Sequence, residues 1–172
     1  SGHSLFDYND TRKYRILIVG EDNNIYNLDK NGKKVKGWKY EKNSNRIQQT
    51  PQHFRIATKD YILAEGNNSS TQLLAINGSK RVHFEQGIQF NGSPISVDKN
   101  GTLYAITTDG KLWRGTLEGN SSQLSLPNLV ATSLFLVDEK AAEKQFIYTS
   151  NKRVFIVNTD FEIIHSFELD NT

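Results

Sequence analysis

The sequence contains no cysteine and no methionine, and only 3 of its 172 residues are proline. Without cysteine, a disulfide framework, a thiol nucleophile and a thiolate metal site are all excluded. No apolar run approaches the roughly 20 residues that a membrane-spanning helix needs, and none has the form of a signal peptide. Because a natural reading frame begins with methionine, the start at Ser1 leads us to expect a domain excised from a longer protein.

Charge is nearly balanced overall but unevenly spread along the chain. Residues 1–60 carry 12 basic and 7 acidic side chains, whereas residues 61–172 carry 9 and 12. Much of the basic excess lies in residues 30–42, around Trp38 and Tyr40, and lysines beside aromatic rings can hold phosphates or stack bases. Every basic residue in this stretch is lysine, and specific nucleic-acid sites favour arginine. We therefore interpret it as a solvated outer strand and predict no nucleic-acid partner.

A pattern of four short apolar segments recurs about every forty residues. The third segments of the four repeats centre near Tyr26, Leu74, Trp113 and Phe155. Residue pairs that tolerate positive φ separate the segments, at Asn31-Gly32, Asn77-Gly78, Asn100-Gly101 and Asp109-Gly110. Helical periodicity is nearly absent, since the one helix-friendly stretch, residues 139–144, is too short to be more than a turn. Four-stranded units at this spacing are typical of β-propeller blades.

The repeats predict an all-β, β-propeller-like fold of about four blades, each with four antiparallel strands. We expect a single domain over residues 1–172, with blades at roughly residues 5–40, 53–86, 94–127 and 133–169. A blade covers both of its faces only by stacking on neighbours, and most propellers have six to eight blades. A closed four-bladed ring, an arc of a larger ring and half of an eight-bladed dimer therefore remain open, and we favour an incomplete ring.

Two segments carry a family resemblance. Residues 98–106 read DKNGTLYAI, and the repeats resemble those of bacterial β-propellers of the quinoprotein-like and WD-repeat-like superfamily. Residues 37–40, GWKY, followed by residues 51–56, PQHFRI, look like a repeat of large surface or periplasmic proteins of Bacteroidetes-type bacteria. The resemblance implies a bacterial envelope protein, in the periplasm or at the cell surface. The Gly-His and Trp-Asp pairs of the WD repeat and an intact calcium loop are missing, and no quinone-binding residue carries over.

Scattered polar residues form no recognisable catalytic or metal motif. The histidines, none at the spacing that suits zinc, are His3, His53, His83 and His165. Neither a Gly-x-Ser-x-Gly nucleophile elbow nor a phosphate loop occurs. Asp29 and Asp98 each open an Asp-Lys-Asn-Gly sequence, which we interpret as a turn and not as a calcium loop. We predict no catalytic residue, no metal and no cofactor, and hence no enzyme.

Function in propeller-like folds usually lies in loops on one face. The candidate ligand- or partner-binding residues are Gln52, His53, Arg55, Asn67, Asn68 and Asp109. We predict a non-catalytic scaffold or a protein- or ligand-recognition module of a larger bacterial protein. Its partner would be another protein, the rest of the same polypeptide or a second copy that completes the ring. The alternative is a partial ring of a cofactor- or sugar-processing propeller enzyme, in which charged side chains would converge in a deep pocket.

Overall fold

The computed structural model describes residues 3–8, 11–42, 46–47, 49–66, 71–84, 88–141 and 143–169. The described chain forms fifteen β-strands and no helix, so nothing in it is a helix long and apolar enough to cross a membrane. The strands build four antiparallel sheets, two in each of two compact units. Unit 1 spans Ser1–Gly87 and unit 2 spans Ile88–Thr172.

Sheet 1, the first sheet of unit 1, contains β1 (His3–Tyr8), β2 (Lys13–Val19) and β3 (Ile25–Asp29). The chain segment that follows pairs with β3 at a single bridge, between Leu28 and Lys34. It then turns at Gly37, whose φ is +82°. The indole N–H of Trp38 donates a 2.7 Å hydrogen bond to the carbonyl oxygen of Ile25. The Trp38 side chain therefore satisfies a carbonyl group at the edge of β3, where a longer fourth strand would provide a backbone N–H group.

Sheet 2 completes unit 1 with β4 (Gln52–Ile56), β5 (Lys59–Ala64), β6 (Gln72–Ala75) and β7 (Lys80–His83). Its middle strands are almost continuously buried. The core between sheets 1 and 2 is mainly aliphatic and contains Phe6, Leu17, Val19, Ile25, Ile47, Ile62, Ala64 and Leu74. This packing fixes the inner face of sheet 1, on which Asn27 also lies.

Unit 2 contains sheets 3 and 4. Sheet 3 consists of β8 (Ser96–Val97), β9 (Leu103–Ile106), β10 (Leu112–Gly115) and β11 (Ser121–Leu124). Sheet 4 consists of β12 (Phe135–Asp138), β13 (Gln145–Ser150), β14 (Arg153–Val157) and β15 (Ile163–Glu168). Their shared core is rich in aromatic rings, including Tyr104, Phe135, Phe146, Tyr148 and Phe155. Rings at offset-stacked and tilted angles interlock the two sheets.

The two Asp-Lys-Asn-Gly sequences form the same turn, as the sequence predicts. One carboxylate oxygen of Asp29 accepts hydrogen bonds of 2.9 Å from the backbone N–H groups of Asn31 and Lys33. Asp98 accepts the equivalent bonds, of 3.0 and 2.9 Å, from Asn100 and Thr102. These bonds close the two turns, so the carboxylates act on their own backbone.

The all-β architecture of four antiparallel sheets confirms the predicted fold class. Each of the four third-segment residues lies in the third strand of its sheet, namely Tyr26 in β3, Leu74 in β6, Trp113 in β10 and Phe155 in β14. No helix forms in the described part of residues 139–144. The recurring turn and strand chemistry placed these strands, whereas the outer strand predicted within residues 30–42 is reduced to one bridge, at Lys34.

Candidate binding sites

Three of the six predicted site residues lie on one strand. Gln52, His53 and Arg55 are all half-buried in β4, the first strand of sheet 2. Asp109 belongs to unit 2, in the turn between β9 and β10. The predictions for Asn67 and Asn68 fall outside the described residues.

His53 is held by two neighbours within unit 1. Its Nε2 lies 2.9 Å from Oδ1 of Asp60 on the adjacent strand β5, and Asp60 is buried. The imidazole also stacks on Phe6 of β1, with ring centroids 4.2 Å apart. Since a carboxylate fixes one edge of the ring and a phenyl group covers one face, His53 joins sheets 1 and 2 as a packed side chain.

Asp109 stabilises its own turn. Oδ2 of Asp109 lies 2.7 Å from Nζ of Lys111, and Oδ1 accepts a hydrogen bond from the hydroxyl of Thr107. The bond from Lys111 and then that from Thr107 lower the pKa of the Asp109 carboxyl below its ordinary value. The carboxylate is thus occupied by local partners at the surface of unit 2.

A buried ion pair that the sequence did not reveal lies in unit 2. Lys144 reaches Asp98, and its Nζ also lies 3.1 Å from the hydroxyl of Tyr104. The same hydroxyl donates a 3.2 Å hydrogen bond to Oδ2 of Asp98. Burial opposes ionisation of Asp98, but the bonds from Lys144 and the turn outweigh it and keep its pKa below the ordinary value. Lys144 comes from residues 139–144, which sequence patterning treated only as a turn.

Two adjoining hollows flank Trp38 in unit 1, and we call them together the Trp38 hollow. They have volumes of about 200 and 410 Å³ and share Asn27, Val35, Gly37 and Trp38 in their walls. The Trp38 ring lies so close to the turn between β6 and β7 that a Cβ on Gly78 would approach it to 2.9 Å. The hollow is therefore shaped by a tryptophan held between β3 and that turn.

Aromatic rings and cations surround the Trp38 hollow. The guanidinium of Arg15 lies 5.2 Å from the ring centroid of Tyr8, and Nζ of Lys34 lies 5.3 Å from that of Tyr26. Lys36 adds a third cation to the lining. Among the described lining residues there is no carboxylate. The charged side chains in the described lining are therefore all cationic.

Asn27, which lies in the wall of the same hollow, has a buried side-chain oxygen without a hydrogen-bond donor in the described structure. Its residue is only 4 % exposed, and within the described structure its Oδ1 has no hydrogen-bond partner. Such groups are rare in folded proteins, because an unpaired buried polar atom is costly. The sequence held a signal for it, since strand alternation between Tyr26 and Leu28 puts this amide on the inner, buried face.

The first and last sheets each have an apolar outer face, turned away from the core of their own unit. In sheet 4, cross-strand pairing puts Leu136, Ile147 and Ile156 in one row, and Leu136 is 60 % exposed. Phe167 shares this face and is 49 % exposed. The outer face of sheet 1 contains the row Leu5, Ile16 and Leu28, in which Leu5 is 64 % exposed. Exposed apolar patches of this kind are typical of interaction surfaces.

The described residues contain no group of three or more histidine or acidic side chains placed to share a metal ion. No protein-family model matches the sequence, and no curated protein matches it.

Solved structures with a similar fold are β-propellers. The crystal structure of BBS1N in complex with ARL6DN, soaked with mercury, matches 98 % of this chain with a TM-score of 0.70 and 14 % identity. The Dos1 propeller matches 99 % with a TM-score of 0.59 and 13 % identity. Virginiamycin B lyase from Staphylococcus aureus matches 99 % with a TM-score of 0.56 and 12 % identity. The chain spans 54 %, 52 % and 53 % of these three structures. At such identities the likeness establishes the fold alone, and that fold is β-propeller-like.

Proposed function

We propose that this chain is a non-catalytic scaffold module that associates through the outer faces of its first and last sheets, with a second copy of the chain as the occupant. The observation that carries the proposal is the pair of apolar outer faces on sheets 1 and 4. Side chains such as Leu5 and Leu136 remain more than half exposed in strand positions where a blade normally meets its neighbour.

Repeat units contact their neighbours through two opposite sides, so the outer face of sheet 1 is expected to meet the outer face of sheet 4 of another copy. When sheet 1 of each copy stacks on sheet 4 of the other, the apolar outer faces of both sheets are covered in both copies.

Chain length agrees with this pairing. The chain spans about half of each of the three propellers described above. Two copies would therefore supply a number of sheets similar to that of one such propeller. One of those propellers, BBS1N, was crystallised in complex with another protein, which supports a protein-binding role for the fold. On the resemblance of the repeats alone, we extend the proposal to a bacterial envelope location.

The test is the mass in solution, measured by sedimentation equilibrium across a concentration series. We expect twice the chain mass of 19.6 kDa. Leu136→Glu and Leu5→Glu each put a charge on one outer face, and each should shift the equilibrium to monomer. Both positions are exposed in the monomer, so the circular dichroism spectrum should stay unchanged.

Ser122→Glu is the matched control, because it adds the same charge at an exposed strand position of sheet 3. This variant should keep the wild-type mass. A wild-type chain that is monomeric at all concentrations would overturn the proposal. A dimer that persists in Leu5→Glu but not in Leu136→Glu would overturn the pairing of sheet 1 with sheet 4. That result would mean that the two copies meet through sheet 4 alone.

A further inference from the structure

The geometry of unit 1 points to the Trp38 hollow as a binding site for an acidic peptide segment of a protein partner. In this arrangement a peptide N–H donates to Oδ1 of Asn27, peptide carboxylates meet Arg15 and Lys36, and the chain crosses Trp38. The inference does not depend on the proposed association of outer faces, because Asn27 and Arg15 lie on the inner face of sheet 1 and Trp38 at its edge.

Asn27 defines what the occupant must donate. Its Oδ1 is an acceptor, it lies in a residue that is 4 % exposed, and it has no partner among the described residues. A ligand that presents an N–H or O–H group satisfies this atom and removes the penalty of an unpaired buried acceptor. Asn27 lies in the walls of both parts of the hollow, but its Oδ1 is buried behind the wall, so the bond forms when the side chain turns toward the occupant.

The cations define the charge of the occupant. Arg15, Lys34 and Lys36 lie in the walls of the hollow, and the described lining itself contains no carboxylate. Asp29 lies opposite Arg15 on β3, and Asp22 accepts hydrogen bonds from Tyr26 and Asn24, so the cations are offset only from outside the lining. No ion pair involving the three cationic side chains is found in the described structure. Charge-assisted hydrogen bonds to carboxylates are about twice as strong as neutral ones, so an anionic ligand gains most here.

The extent of the hollow favours a chain over a single small anion. Its two parts share Asn27, Val35 and Trp38 in their walls, so a ligand that fills both runs past these shared residues. An extended peptide advances about 3.3 Å per residue and offers an N–H group along its whole length. It can therefore satisfy Asn27 and place successive carboxylates beside cations in both parts.

The experiment uses the two indole N–H signals of the whole chain in a ¹⁵N–¹H correlation spectrum. Trp38 lines the hollow, while Trp113 is completely buried in sheet 3 of unit 2 and serves as the internal reference. The probe is an eight-residue, end-capped peptide of glutamate and glycine. We expect it to shift the Trp38 signal and to leave that of Trp113 in place. Arg15→Gln and Asn27→Leu should each weaken binding about tenfold or more.

Lys30→Gln is the matched control, because it removes one charge from the same lysine-rich stretch but lines neither part of the hollow. It should change the affinity less than twofold. The proposal is wrong if the glutamate peptide leaves the Trp38 signal unchanged at millimolar concentration, or if folded Asn27→Leu binds as well as wild type. It is also wrong if an oligothymidylate or an oligogalacturonate of matched charge binds more tightly than the peptide. Both a monomer and a dimer can bind the peptide. A negative result in this binding test therefore leaves the proposed dimer untouched, and a monomeric mass leaves the proposed peptide site untouched.

Discussion

Asn27 in unit 1 and Asp98 in unit 2 are both buried polar side chains, with 4 % and 1 % exposure, yet their surroundings differ completely. The oxygens of Asp98 accept hydrogen bonds from two backbone N–H groups, from Tyr104 and from Lys144. Oδ1 of Asn27 accepts none within the described residues. A satisfied buried group holds the fold together, whereas an unsatisfied one costs stability until another group supplies its hydrogen bond.

Glu65 extends the contrast between the units. It is buried in unit 1 with 5 % exposure, and burial raises its pKa from an ordinary value of 4.5 to about 7. For Asp98, burial acts in the same direction, but hydrogen bonds from Lys144 and the turn reverse the net effect on the pKa. Two buried carboxyl groups thus have opposite pKa shifts, because only Asp98 receives hydrogen bonds strong enough to outweigh burial.

The largest expected effect comes from breaking the satisfied cluster of unit 2. Lys144→Met leaves the carboxylate of Asp98 buried without its cation, and such a change costs about 3 kcal/mol. We choose the lower end of the usual range because the Lys144 side chain is 21 % exposed. The measurement is the free energy of unfolding from urea denaturation at neutral pH. Lys140→Met, an exposed lysine in the same segment, should change it by less than 0.5 kcal/mol.

Acidification distinguishes the ion pair from mere packing of the lysine chain. The pKa of Asp98 is lowered in the folded state, so its stabilisation is present above the ordinary pKa of 3.8 and is lost as pH falls below it. The loss in free energy of unfolding caused by Lys144→Met should therefore be smaller at low pH than at neutral pH. An equal loss at pH 3 and pH 7 would show that charge does not hold this cluster together.

The next effect concerns Glu65. Because its pKa is raised, its contribution to stability changes with pH in the opposite direction to that of Asp98. The folded state favours the protonated carboxyl, so the associated stability is fully present below pH 4.5 and declines as pH rises to about 7. Glu65→Gln keeps a neutral group at all pH values. It should flatten this decline and stabilise the protein at pH 7.5 by at most about 3 kcal/mol. Thermal unfolding between pH 4.5 and 7.5 measures it, and an unchanged pH profile would contradict the assignment.

Strand positions were predictable from the sequence because turns and alternation are local properties. Asn31-Gly32 and Asn100-Gly101 identify hairpins, and the apolar segments between such turns must pair to satisfy their backbone groups. The short fourth segment of sheet 1 was less predictable. Its shape depends on the Trp38 indole reaching Ile25, a contact between side chain and backbone across 13 residues.

The predicted site was harder to derive than the fold. His53 and Arg55 stand out by residue type, but the partners of His53, Phe6 and Asp60, are set by the stacking of sheets 1 and 2. Asn27 attracts little notice in a sequence rich in asparagine. Its burial follows from the alternation of side chains along β3, but its lack of a hydrogen-bond partner depends on the residues packed around it. Patterning finds polar residues on buried faces, but only packing reveals which of them stay unsatisfied.

The smallest expected effect reverses the usual sign of a core substitution. Asn27→Leu replaces an unsatisfied buried amide with an apolar group of similar volume, so it should raise the free energy of unfolding by about 1 kcal/mol. The matched control is Asn91→Leu in unit 2, because the amide nitrogen of Asn91 donates bonds of 2.7 and 3.0 Å to the carbonyl oxygens of Ala131 and Ser133. Asn91→Leu should therefore destabilise by about 1 to 2 kcal/mol. Urea denaturation of both variants measures the difference, and equal destabilisation would mean that Asn27 is structural and not held in reserve for a ligand.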